Sequence, residues 1–137
     1  MDETLTGSCL CGAIRYTVAA PVTELRACHC THCQKSSGAG GSVNAVLPSD
    51  AFRITHGTPK RYDARADSGR TLHRYFCGDC GSPIYSQRAT NPGMVVVRAG
   101  TFDNPGDMKI TAHIWTKSAR AWSYMDPAAT RLPGQPA

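Results

Sequence analysis

The sequence has no long apolar run. Nothing in it approaches the roughly 18 consecutive apolar residues of a membrane-spanning helix. Its first residues, Met1-Asp2-Glu3-Thr4-Leu5-Thr6, have neither a basic start nor an apolar stretch. No secretory leader is read there, and a cytoplasmic location is expected. No Lys/Arg run reaches the density of a phosphate-tracking surface, which makes nucleic acid an unlikely partner. No window repeats apolar residues at i, i+3, i+4 and i+7 over a helical length, so little helix is expected. Charged residues are sparse at 18%, yet the apolar fraction of 41% is ordinary, so disorder is not indicated either. At 137 residues the chain reads as one domain that can bury a core without covalent help.

Cysteine too is absent from most of the chain, but what there is falls in three tight clusters. They are Cys9-Leu10-Cys11, Cys28-His29-Cys30-Thr31-His32-Cys33 and Cys77-Gly78-Asp79-Cys80. In a reducing compartment such clusters favour metal over disulfides. Disulfides between such close neighbours would be strained, and an odd total of seven leaves one thiol over. Two plus two thiols complete a tetrahedral zinc shell, whereas the group of three is one ligand short. The pattern points to a closed structural site of Cys9, Cys11, Cys77 and Cys80, and to a second site of Cys28, Cys30 and Cys33 with an open position. Other readings fit the spacing as well. His29 or His32, or His73 or His113 from a distance, would close the second site as an inert Cys3His shell, and Cys28 could join a different shell. Seven thiolates contribute −7 and two Zn²⁺ ions +4, so the formal charge of +5 falls to +2. The basic balance is partly a matter of counting thiols as neutral.

Between the clusters the chain reads as short strands. Ile14, Tyr16 and Val18 alternate with Arg15 and Thr17. Val43–Leu47 stops at Pro48, and Phe52–Thr55 stops at Gly57. Thr71–Phe76 leads into Cys77, and Pro83–Ser86 leads away from Cys80. Met94–Arg98 is the strongest strand, bounded by Asn91-Pro92-Gly93 and Gly100, and Thr111–Trp115 follows. A short helical turn over residues 31–36 is the only helix expected. The core runs from about residue 5 to 126, and the Pro/Ala/Gly-rich tail 127–137 is expected to fray. The aromatic residues Tyr16, Phe52, Tyr75, Phe76, Tyr85, Phe102, Trp115 and Trp122 are read as packing and not as a ligand cage.

At the cysteine motifs and around them the sequence resembles the glutathione-dependent formaldehyde-activating family, which includes the centromere protein V-like domains. The resemblance runs from Gly7 to about Met125. It is carried by Gly7-Ser8-Cys9-Leu10-Cys11-Gly12, Cys28-His29-Cys30-Thr31-His32-Cys33-Gln34 and Phe76-Cys77-Gly78-Asp79-Cys80-Gly81. Arg98-Ala99-Gly100-Thr101-Phe102-Asp103 and His113-Ile114-Trp115 extend it. It implies a mostly-β, zinc-stabilised β-tent domain. It assigns Cys9, Cys11, Cys77 and Cys80 to a structural zinc, and Cys28, Cys30 and Cys33 to a catalytic one. The implied reaction is a carbon–sulfur lyase reaction run in reverse, in which glutathione or another small thiol adds to formaldehyde. Gln34 stands where many members carry a basic residue that would suit a glutathione carboxylate, and Lys35 is the nearest substitute.

Two other functions compete with an enzyme of this kind. One is a non-catalytic, zinc-stabilised binding module with the same fold. The other is a redox protein, which would need a cysteine free of metal. In the enzyme, the zinc would hold the thiol as a thiolate beside the aldehyde. His32 and Lys35, with His29, are candidates for contacting substrate or moving protons on sequence proximity alone.

Overall fold

Where apolar and polar residues alternate, the chain forms strands. In Arg15-Tyr16-Thr17-Val18 the side chains of Tyr16 and Val18 are buried and those between them face outward. The computed structural model describes residues 5–65, 69–104 and 106–136. The N-terminal residues 1–4 read above and Ala137 of the tail lie outside that set. The strands are β1 (Leu5–Ser8), β2 (Arg15–Val18), β3 (Glu24–Cys28), β4 (Ser42–Pro48), β5 (Phe52–His56), β6 (Lys60–Arg65), β7 (Thr71–Phe76), β8 (Pro83–Arg88), β9 (Asn91–Arg98), β10 (Lys109–Ile114) and β11 (Thr130–Arg131). One helix, α1 (Thr31–Ser37), follows β3. The fold is mostly β, as the short alternating runs imply. No helix among the described residues is long and apolar enough to cross a membrane.

The chain divides into two compact units, Met1–Pro21 with Val46–Gly106, and Val22–Ala45 with Asp107–Ala137. In the first unit β1, β2 and β5 form an antiparallel sheet, and β6 to β9 form an antiparallel meander. Tyr16, Val18, Ile84 and Val97 are fully buried there. Aromatic rings join them: Phe52 lies 5.0 Å from Tyr16 and 4.6 Å from Tyr85, and Tyr85 stacks on Tyr75 at 4.4 Å. The aromatics of this unit therefore serve packing. Strand β9 begins at Asn91, earlier than the Pro92-Gly93 pair suggests, because Asn91 pairs with Arg88 across the two-residue turn Ala89-Thr90. Pro92 sits at the start of the strand, where a missing N–H is tolerated.

In the second unit β10 runs parallel to both β3 and β11, and β3 pairs antiparallel with β4. The tail corrects an expectation. It does not fray: β11 pairs with β10, and the N–H of Leu132 donates to the His113 carbonyl. The carbonyls of Leu132, Pro133 and Gly134 accept from Thr116, Lys117 and Trp115. The physical reason is that β10 has an edge to fill, and Thr130-Arg131-Leu132 is the stretch of the tail able to donate to it. Helix α1 starts where Cys30 Sγ accepts from the Cys33 N–H and ends at Gly38, whose φ of 71° closes the helix in the left-handed region. Thr31–Ser37 thus agrees with the single helical turn read from the sequence.

Candidate metal centres and the cavity beside Cys28

The first unit gathers Cys9, Cys11, Cys77 and Cys80, with all four Sγ atoms within 4.8 Å of one another. Two similar turns make this possible. In one, the Gly12 N–H donates to the Cys9 carbonyl, with φ 81° at Gly12. In the other, the Gly81 N–H donates to the Cys77 carbonyl, with φ 79° at Gly81. Such φ values favour glycine. Cys9 and Cys11 Sγ are 3.6 Å apart, and Cys11 and Cys77 Sγ 3.7 Å. Tetrahedral zinc with bonds of about 2.3 Å requires sulfur separations of about 3.8 Å, so the donor set fits the ion. All seven cysteines are free thiols.

Without a cation these thiols polarise one another. The Ser82 hydroxyl and backbone, and the Cys11 backbone, bring Cys80 down to about 5. The Ala13 backbone favours ionised Cys11, but Cys9, burial, Cys80 and Cys77 outweigh it and push Cys11 up to about 12. Burial opposes ionisation of Cys9, yet hydrogen bonds from Ile14, Cys11 and Cys77 leave it below the usual thiol value. A cluster in which some thiols ionise at the expense of others is one that a divalent cation would relieve.

The second unit gathers Cys28, Cys30 and Cys33 within the same 4.8 Å limit. Cys28 ends β3, Cys30 caps α1 and Cys33 lies in its first turn. Cys28 and Cys33 are buried with Ile114 and flanked by Trp115 and Leu132. Cys30 and Cys33 with burial raise the Cys28 thiol, while Cys28 favours ionised Cys30 but Cys33 and burial raise it overall. Among the described residues no histidine, carboxylate or further cysteine joins the three.

The histidines proposed from spacing have other partners. His73 Nδ1 lies 2.6 Å from Asp63 Oδ1 in the first unit. His29 and His113 pair with each other, Nε2 to Nδ1 at 2.8 Å, with their rings stacked. The Asp126 N–H donates to His113 Nε2 at 3.1 Å. That bond leaves the proton of neutral His113 on Nδ1, which donates to His29 Nε2 and so keeps the His29 proton on Nδ1. Burial lowers both imidazoles and favours this neutral pair. The Gly40 backbone acts on His29, but Nδ1 has no partner in hydrogen-bonding geometry.

Gln34 is spent on the scaffold. Its Nε2 donates to the carbonyls of His29 and Ser118, and its Oε1 accepts from Arg120 Nε. His32 is half-buried on α1 and Lys35 is exposed there. Neither lines the cavity of about 260 Å³ that shares Cys28 in its wall. That cavity is formed by His29, His113, Ile110, Trp122, Ser123 and Tyr124, with Gly40 and Gly41 among the rest. The chain packs too closely at these glycines for a side chain. A Cβ at Gly40 would sit 2.3 Å from Ser123 Oγ, and one at Gly41 2.2 Å from the Cys28 carbonyl oxygen. Sequence reasoning missed Ser123 and Tyr124 because no spacing links residues 122–124 to the cysteines. The paired glycines at 40 and 41 were the available signal of a close approach.

Residues 4–118 match the family profile described as glutathione-dependent formaldehyde-activating enzyme. A Halomonas elongata protein provisionally named as such an enzyme is 33% identical over 106 residues, covering 73% of this chain and 66% of that protein. A Podospora anserina protein with the same provisional name is 33% identical over 82 residues, covering 58% of this chain and 38% of that protein. The chain thus spans from over a third to just under two thirds of the length of these relatives. In three dimensions it is similar to a Rhodobacter sphaeroides protein of known crystal structure. The TM-score is 0.58 at 23% identity, over 74% of this chain and 93% of the other.

Proposed function

The chain belongs to the family of glutathione-dependent formaldehyde-activating enzymes, and from that membership we propose that it is a zinc-dependent carbon–sulfur lyase joining a small thiol to formaldehyde or a related small aldehyde. In the addition, sulfur bonds to the carbonyl carbon and the carbon–oxygen π bond opens. The thiol proton passes to the oxygen, and nothing is oxidised or reduced. One observation carries the reading: three thiols meet with no fourth protein ligand among the described residues, and Cys28 is shared with a cavity. Zinc held by Cys28, Cys30 and Cys33 would supply a Lewis acid that keeps a bound thiol ionised near neutral pH. Cys9, Cys11, Cys77 and Cys80 would hold a structural zinc, in a single functional domain of the β-tent type.

The protein's own groups suit the rest of the reaction. An oxygen that gains negative charge needs donors aimed at it. His29 Nδ1–H and the Ser123 hydroxyl, borne by residues of the cavity wall but themselves buried, would serve once local movement uncovers them.

The test is thiohemiacetal formation measured on the wild type and on Cys30→Ser, with zinc counted in both. Wild type should carry two zinc ions. The variant should keep its fold and one zinc while its rate falls to the uncatalysed background. Equal rates in two folded proteins would end the proposal.

A further inference from the structure

No Asp, Glu, Lys or Arg lines the cavity beside Cys28. Asp126 and Arg131, which act electrically on His113, have opposite signs and stand outside the lining. Ile110, Val43 and Trp122 are apolar, Tyr124 presents an aromatic ring, and both Trp122 and Tyr124 are largely exposed. At about 260 Å³ the cavity is smaller than the roughly 300–1,000 Å³ of pockets for drug-sized ligands.

We propose that this cavity selects an uncharged thiol as co-substrate, a short thiol with an aliphatic or aromatic group. The apolar group would lie against Ile110, Trp122 and Tyr124. The inference rests on the thiol-addition reading and narrows it. Glutathione brings two carboxylates and an ammonium group. A charged group laid against this wall loses part of its hydration and gains no Asp, Glu, Lys or Arg partner from it.

Calorimetric titration of the zinc-loaded protein with benzyl mercaptan, 4-(mercaptomethyl)benzoate and glutathione tests this. All three offer a thiol, so differences report the rest of the ligand. Benzyl mercaptan should bind at least about tenfold more tightly than either charged thiol. Trp122→Ala, a change at an exposed site that leaves the fold intact, should weaken benzyl mercaptan about fivefold and leave glutathione unchanged. Glutathione or the benzoate binding as tightly as benzyl mercaptan would overturn the proposal, as would indifference to the loss of Trp122. Turnover is measured on the same samples. The expected binding order without turnover would refute the lyase reading and uphold the cavity's preference, whereas turnover with glutathione preferred would do the reverse.

Discussion

Tyr16 shows how much of this fold hangs on one side chain. Its ring packs against Phe52 and Phe102, and its hydroxyl lies 2.6 Å from Thr101 Oγ1, which itself donates to the Arg98 carbonyl. Gly7 lies so close that a Cβ there would sit 2.1 Å from the ring. Burial first, then the Asp103 charge, push the phenol up to about 12, against the opposing hydrogen bond to Thr101. A group with a raised folded-state pKa contributes stability that is complete below its unfolded value of about 10 and lost as pH rises towards 12. Tyr16→Phe should therefore cost about 1 kcal/mol at pH 7, through the lost hydrogen bond. The difference from wild type should shrink and then change sign between pH 10 and 12, because the variant lacks the titrating group. Urea unfolding of both proteins across that range measures this, and a constant difference would contradict it. Residue by residue, the two thiol clusters were legible because holding a metal would need one side-chain type at short spacing. The bonds of Gln34 to Ser118 and Arg120 and that between His29 and His113 were not, because each spans some eighty residues of sequence.

At the scale of elements, legibility followed alternation. Strand β2 buries every second side chain and was read from that pattern, while β9 was read as an apolar run between turn residues and also alternates in burial. Strand β6 went unread because only Ala64 of Lys60–Arg65 is buried, so its sequence carries charge where a pattern would show. It pairs with β7 along six residue pairs all the same, since backbone hydrogen bonding does not depend on a buried face. Strand β11 is the sharper case. Two exposed residues in a Pro-rich tail give no periodic signal, yet they fill the edge of β10. Trp115 depends on the same tail. It holds φ 55°, rare for a residue other than glycine, while its N–H donates to Gly134 and its indole Nε1–H to Gln135 Oε1. Removing residues 130–137 should free Trp115 from that backbone state and lower the thermal midpoint by several degrees, as expected for a loss of about 1–2 kcal/mol. The three-thiol site should suffer too, since Leu132 packs on its core. Differential scanning calorimetry of the truncated chain decides; an unchanged midpoint would mean that the tail contributes nothing.

At the scale of the whole molecule, the metal inventory sets the charge. The sequence carries a formal +5 at pH 7 with every cysteine neutral. With every thiol counted as protonated when empty, the four-thiol cluster would exchange four protons for one divalent ion and the three-thiol cluster three, so the fully loaded protein would stand at a formal +2. Cys80, brought down to about 5 in the empty cluster, makes the charge steps of the two sites alike at pH 7. The site that empties first is therefore read by alkylating free thiols during stepwise chelation and mapping the modified cysteines by mass. Cys28, Cys30 and Cys33 should be alkylated first, because they offer an ion three protein ligands where the other cluster offers four. Unfolding should follow the loss of the second ion, not the first. Alkylation of Cys9, Cys11, Cys77 and Cys80 first, or unfolding on loss of the first ion, would count against the proposed structural and reactive centres. The same count bears on partners. A molecule of +2 has little to offer a phosphate backbone, so affinity for duplex DNA should be weak and nearly flat with salt in the loaded form.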